Sequence, residues 1–98
     1  MKRMRSVHPG EILRDEFLVP LKMTAHALAL ELKVPAPRIN DIVRERRAIT
    51  PDTALRLAHY FGTTPQFWMN LQSSYDLKIA ERDTGVTIAR QVHARLVA

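Results

Sequence analysis

Proline cannot continue a helical hydrogen-bond ladder, and six of them divide this chain of 98 residues into short segments. Pro9, Pro51 and Pro65 each precede a helical pattern and follow a residue able to cap it (His8, Thr50, Thr64). At the first helical position proline's fixed φ is already suitable and its missing N–H has no intrahelical partner to lose, so each marks a helix start. Pro20 follows "GEILRDEFLV", whose Ile12, Leu13, Glu16 and Phe17 share a stripe, and it predicts a first helix over about residues 9–18. Thr24 can cap a second helix through Ala25, Leu28, Ala29 and Leu32, stopping near Lys33. Pro35 and Pro37 exclude a helix interior but fit a first turn, so the third helix is expected from about Ala36 through Ile39, Ile42 and Val43.

After the loop "RRAIT", "PDTALRLAHYFG" places Ala54, Leu57, Ala58 and Phe61 on one stripe with Gly62 as its stop. The fifth segment, from Pro65 to about Arg82, repeats Phe67, Trp68, Leu71, Tyr75 and Ile79 at three- and four-residue intervals. The tail "GVTIARQVHARLVA" fits a helix through Ile88, Val92 and Leu96, and its "VTI" also fits a short strand. The division expected is one domain over 1–83 and an extension over 84–98 available for dimer or partner contact.

At 46% hydrophobic residues, a chain of this length supports one modest core. Without cysteine there is no disulfide, thiol catalysis or thiolate metal site, and a cytoplasmic protein held by packing is the economical reading. No stretch approaches the roughly 18 apolar residues of a membrane span, and the basic "MKRMR" is not followed by an apolar signal core. The net charge of +5 is uneven: residues 1–50 hold 10 basic and 6 acidic side chains, residues 51–98 hold 5 and 4. A polyanion-binding surface in the N-terminal half would produce that asymmetry.

The second and third segments give this charge a geometry. Ala29, Lys33, Val34, Ile39 and Ile42 have helix-turn-helix spacing, with a small residue where two helices cross, an aliphatic plug in the turn and two isoleucines fixing the second helix to the core. At about 100° per residue, with Ile39 pointing inward, Pro37 and Asp41 lie outermost, flanked by Arg38, Asn40 and Arg44. Asn40 suits a bidentate pair with adenine, and Arg38 or Arg44 one with guanine. Asp41 can accept from cytosine or orient the guanidiniums of Arg38 and Arg44, three residues away on either side. Arg46 and Arg47 are placed to neutralise phosphates; Thr24 and Lys33 can add phosphate contacts at the start of the second helix and at the turn, and Ala36 belongs to the leading edge of the reading helix.

The His8-Pro9-Gly10-Glu11 opening, the Ile49-Thr50-Pro51-Asp52 segment with Ala54 and Leu57, and Trp68 with Asn70-Leu71-Gln72 leading to Tyr75-Asp76-Leu77 resemble the HigA-type antitoxins, the plasmid-maintenance branch of the Xre-like helix-turn-helix regulators. The resemblance covers about residues 8–77. It implies an all-α, five-helix, lambda-repressor-like helix-turn-helix fold with a short C-terminal extension. It further implies a homodimeric repressor that binds an inverted repeat of double-stranded operator DNA in its own operon and neutralises a toxin, typically a RelE-like mRNA endonuclease. By the family pattern Arg38, Asn40 and Arg44 fall on the DNA-facing helix. Two departures stand out: Lys33 occupies a position where many such motifs have glycine, and Pro35, Ala36 and Pro37 replace the polar residues that commonly open the recognition helix.

Other chemistries find little support. His8, His26, His59 and His93 show no metal-ligand spacing, no Ser/His/Asp set has triad logic, and neither a cofactor nor catalysis is expected. Phe67 and Trp68 on an apolar stripe read as core or dimer contacts rather than a ligand pocket. Because one recognition helix buries too little surface for tight specific binding, a two-fold dimer is expected, with Trp68, Leu71, Tyr75 and Ile79 divided between core and dimer interface. A free-standing regulator without a toxin, or a protein-interaction module with weak DNA affinity, is the alternative function.

Overall fold

The structure, a computed structural model, describes residues 5–96; the basic opening MKRM and the last two residues of the expected extension lie outside them. The described residues are all-helical, with no strand. The first helix, α1, covers residues 9–21 and is built of an α-helical start Pro9–Ile12, a π-helical middle Leu13–Leu18 and an α-helical end Val19–Leu21. It is followed by α2 (Ala25–Leu32), α3 (Ala36–Val43), α4 (Pro51–Phe61) and α5 (Pro65–Gln91).

The capping logic read from the sequence is realised at each of its sites. Thr24, Thr50 and Thr64 accept from the backbone amides of Ala27, Thr53 and Phe67 through their hydroxyls, and His8 Nδ1 accepts from Gly10 N–H at 2.8 Å. Two helix lengths differ from expectation. Pro20 does not end α1: the π-helical segment bonds Val19 N–H to the Arg14 carbonyl five residues back, and this wider turn relieves the clash of a proline ring with the carbonyl four residues before it. The helix ends instead at Lys22, in the left-handed conformation at φ 54°. At the other end of the chain α5 continues past Arg82 to Gln91, so "VTI" is helical and not a strand.

Leu13, Leu28, Leu32, Ile39, Ile42, Ile49, Ala54, Leu57 and Trp68 form the buried centre of the molecule, drawn from all five helices and the α3–α4 turn. Aromatic rings extend it, Phe17 lying 4.8 Å from Phe61 and 5.1 Å from Trp68 between centroids. Trp68 is fully buried and its indole N–H donates to Thr63 Oγ1 at 2.8 Å, which places it on the core side of the expected division. Leu71, Tyr75 and Ile79 are half-buried, Tyr75 meeting His8 edge-on at 4.9 Å. Beyond Ile79, α5 leaves the body, and the molecule measures 55 × 31 × 23 Å. Among the described residues no helix is long and apolar enough to cross a membrane.

Candidate nucleic-acid interface

The turn between α2 and α3 follows from two amides. Val34 N–H reaches the Ala29 carbonyl at 3.1 Å and Lys33 N–H the Leu30 carbonyl at 3.2 Å, a Schellman ending that requires Lys33 to adopt φ 61°, ψ 44°. Lys33 therefore takes the left-handed conformation that favours glycine, at a cost of about 1 kcal/mol for a side chain in that region. Ala29, 1% exposed, allows the close crossing, and Val34 packs against the core, as the spacing required.

Ile39 and Ile42 are both fully buried, so the inner side of α3 is fixed as expected. Its outer side carries the side chains named from the sequence in graded exposure: Pro37 and Arg44 are exposed, Arg38, Asn40 and Asp41 half-buried, and Ala36 is packed against the core. Thr24, Lys33, Arg46 and Arg47 are exposed around the same unit. Among the described residues no carboxylate pairs with Arg44, Arg46 or Arg47, which leaves three guanidiniums available at the end of α3.

Arg38 is held differently. Its Nη1 donates to Asp52 Oδ2 at 2.6 Å, across the gap from α3 to the first turn of α4. Asp41, expected to orient Arg38 and Arg44, pairs with neither among the described residues; the Asp52 carboxylate is the competitor that takes Arg38. The same Asp52 oxygen accepts from Arg56 Nε at 2.9 Å, and Arg56 Nη1 donates to the Leu32 carbonyl at the end of α2 at 2.8 Å. The two guanidiniums, Arg56 first and Arg38 second, hold the Asp52 carboxyl below the usual carboxylate range.

The far end of α3 is gripped by α1. A Cβ built on Gly10 would lie 1.7 Å from the Ile42 carbonyl oxygen, so only glycine permits this approach. Arg14 Nη1 donates to the Val43 carbonyl at 2.7 Å, the last carbonyl of α3, and also approaches Glu45 at 3.4 Å. Glu45 takes φ 63° as the chain turns away, with Glu45 and Arg46 amides returning to the Ile42 and Asp41 carbonyls. The following turn is tied to α5 by Gln72, which accepts from Ile49 N–H at 2.7 Å and donates to Asp76 at 2.9 Å.

Sequence reasoning missed Gly10, Arg14, Asp52 and Gln72 as parts of this support. Gln72 left a signal, since it is a polar residue four positions after Trp68 on the buried side of α5. So did Asp52 and Arg56, spaced i,i+4 on α4.

A helix-turn-helix family profile matches residues 13–68. The antitoxin HigA of Pseudomonas aeruginosa, solved with the higBA promoter, is 53% identical over 94% of this chain and all of its own, with a TM-score of 0.92. This chain belongs to the HigA-type helix-turn-helix family. Another similar structure is the antitoxin GraA in complex with its operator, 48% identical with a TM-score of 0.90 over 100% of this chain and 99% of that one. Virulence-associated protein I of Dichelobacter nodosus is 60% identical over 80 residues, which is 82% of this chain and 74% of the relative. HigA-type proteins are DNA-binding regulators rather than enzymes, and the exposed cationic end of α3 accords with that.

Proposed function

We propose that this chain is a cytoplasmic, homodimeric antitoxin that represses its own operon by binding an inverted repeat and that neutralises a RelE-like mRNA-endonuclease toxin. The observation that carries the DNA-binding part is the construction of α3: an inner side immobilised by Ile39 and Ile42, both ends gripped by neighbouring helices, and an outer side presenting Asn40 and Arg44. A helix held this way enters a major groove without losing conformational freedom on binding. In this reading Asn40, Arg44 and Arg38 meet base edges, while Thr24, Lys33, Arg46 and Arg47 meet phosphates and set the register. The similarity to HigA and GraA proteins solved with promoter or operator DNA supports this assignment, and their antitoxin role supports the toxin partner.

Dimerisation supplies the second half-site. Leu71, Tyr75 and Ile79, half-buried along α5, with the exposed Leu77 between them and the exposed Val86 and Ile88 beyond, offer the apolar surface for it. Residues 84–98 then act as a dimer or partner contact. A second reading, an interaction module with weak DNA affinity, is favoured by the apolar leading edge of exposed Pro35 and Pro37 beside Ala36.

Salt separates the two. For a dimer neutralising about six phosphates, log affinity for DNA from upstream of the gene falls against log salt with a slope on the order of −5. Asn40→Ala and Arg44→Ala weaken preference among sequences, whereas Arg47→Ala weakens all sequences alike. A flat salt response, or equal effects of all three substitutions on operator and scrambled DNA, would contradict base reading by α3. Coexpression with an adjacent RelE-like gene tests the other half: growth is restored if the chain neutralises the toxin, and arrest persists if it does not.

A further inference from the structure

We propose that Asp52, although it lies on α4 outside the reading helix, is a specificity-determining positioning residue that makes Arg38 read a base instead of grasping a phosphate. This rests on the DNA-binding reading given above. One carboxylate oxygen joins Arg38 of α3 at 2.6 Å and Arg56 of α4 at 2.9 Å, and Arg56 is itself anchored to the Leu32 carbonyl at the end of α2. The network therefore spans the three helices that compose and flank the helix-turn-helix. Asp52 is half exposed while Arg38 is about a quarter exposed, at 54% and 28% of their side-chain surfaces, so the pair lies at the surface and remains reachable by a duplex.

Two consequences follow from elementary chemistry. Guanidinium carries five N–H donors in a planar fork, and the single bond from Nη1 to Asp52 restricts the swing of that fork while leaving the other donors free for an acceptor pair such as guanine O6 and N7. The carboxylate also offsets the arginine charge locally, which lowers its attraction to phosphates of any sequence. Arg46 and Arg47, the arginines assigned to phosphates, have no such partner among the described residues and keep their full attraction. Removing the Asp52 charge should thus shift two quantities in opposite senses: non-specific affinity rises and sequence discrimination falls. A residue that merely stabilised the fold would lower both together.

The test uses the full chain and a duplex enriched by the native protein from a randomised pool, with a scrambled duplex of the same composition as reference. Asp52→Asn should bind the scrambled duplex more tightly, steepen the salt dependence by about one phosphate per protomer, and lose about tenfold in the ratio of enriched to scrambled affinity. In an Arg38→Ala background, Asp52→Asn should leave that ratio unchanged, because the residue acts through Arg38. Circular dichroism of each variant reports whether the helices persist, and Asp52→Glu, which keeps the charge, should retain most of the discrimination. An unchanged ratio and salt slope in Asp52→Asn would overturn the proposal while leaving DNA binding intact; failure of the native chain to enrich any duplex would overturn both.

Discussion

Residues 9–61 and the far half of α5 are both helical, yet they are helical for different reasons. In the first region α3 is only eight residues long, too short to persist alone in water, and it exists because Ile39 and Ile42 are buried and because Gly10, Arg14 and Asp52 hold it from two sides. Past Ile79, α5 has almost no burial to support it: Val86 is 67% exposed and Ile88 51%, in a stretch that includes Thr84, Gly85 and Thr87, all weak helix formers. Stability is thus concentrated around the reading helix, and the projecting part of α5 presents apolar surface that a second chain would cover.

The two glycines that occupy these regions break the comparison most sharply, because the same substitution should have opposite signs. Gly10→Ala drives a methyl into the Ile42 carbonyl oxygen, 1.7 Å from an ideal Cβ, and should destabilise by about 3 kcal/mol or prevent folding. Urea denaturation measures it, and a loss below roughly 1 kcal/mol would mean that α1 can withdraw from α3 without consequence.

A smaller effect should appear with pH in the clamped region alone. Burial pushes the His8 imidazole below its ordinary value, against the opposing pull of Glu45 and Asp76, and its neutral form is needed to accept from Gly10 N–H. The unfolded chain takes up this proton near pH 6.5 and the folded chain only at lower pH, so the stability from His8 is fully present above about 6.5 and declines as pH falls below it. Thermal melts from about pH 8 to about pH 5 should show this decline in the native chain and a shallower one in His8→Asn; parallel curves would remove His8 as the cause.

Gly85→Ala is the smallest change and should be stabilising. A Cβ there meets nothing closer than 3.9 Å, and alanine gains about 0.5–1 kcal/mol over glycine inside an exposed helix. The gain should be read as increased helicity by circular dichroism. A loss instead would show that a partner chain approaches Gly85 closely.

How much of this is legible in the sequence depends on whether a feature is local or arises between helices. The caps at His8, Thr24, Thr50 and Thr64 and the stops at Lys33 and Gly62 are local, each decided by a few neighbouring residues, and spacing alone places them. The inward direction of Ile39 and Ile42 likewise follows from helical period. Pro20 misleads because the usual penalty assumes a regular helix, and the π-helical widening before it depends on packing that no local pattern reveals. The pairing of Asp52 with Arg38 is hidden for a related reason: Asp41 is the nearer carboxylate along the chain, but Asp52 is the one that the α3–α4 turn brings to 2.6 Å. The end of α5 escapes because nothing local decides between helix and strand for a solvent-exposed "VTI".

Methylation interference with dimethyl sulfate tests the central claim most directly, because it reports guanine N7 in the major groove separately from adenine N3 in the minor groove. On a duplex bound by the native chain, interference should fall at guanine N7 in two patches about one helical turn apart, and Arg44→Ala should weaken it within those patches. Interference confined to adenine N3, or a single patch untouched by Arg44→Ala, would contradict an α3 that reads the major groove from each half of a dimer.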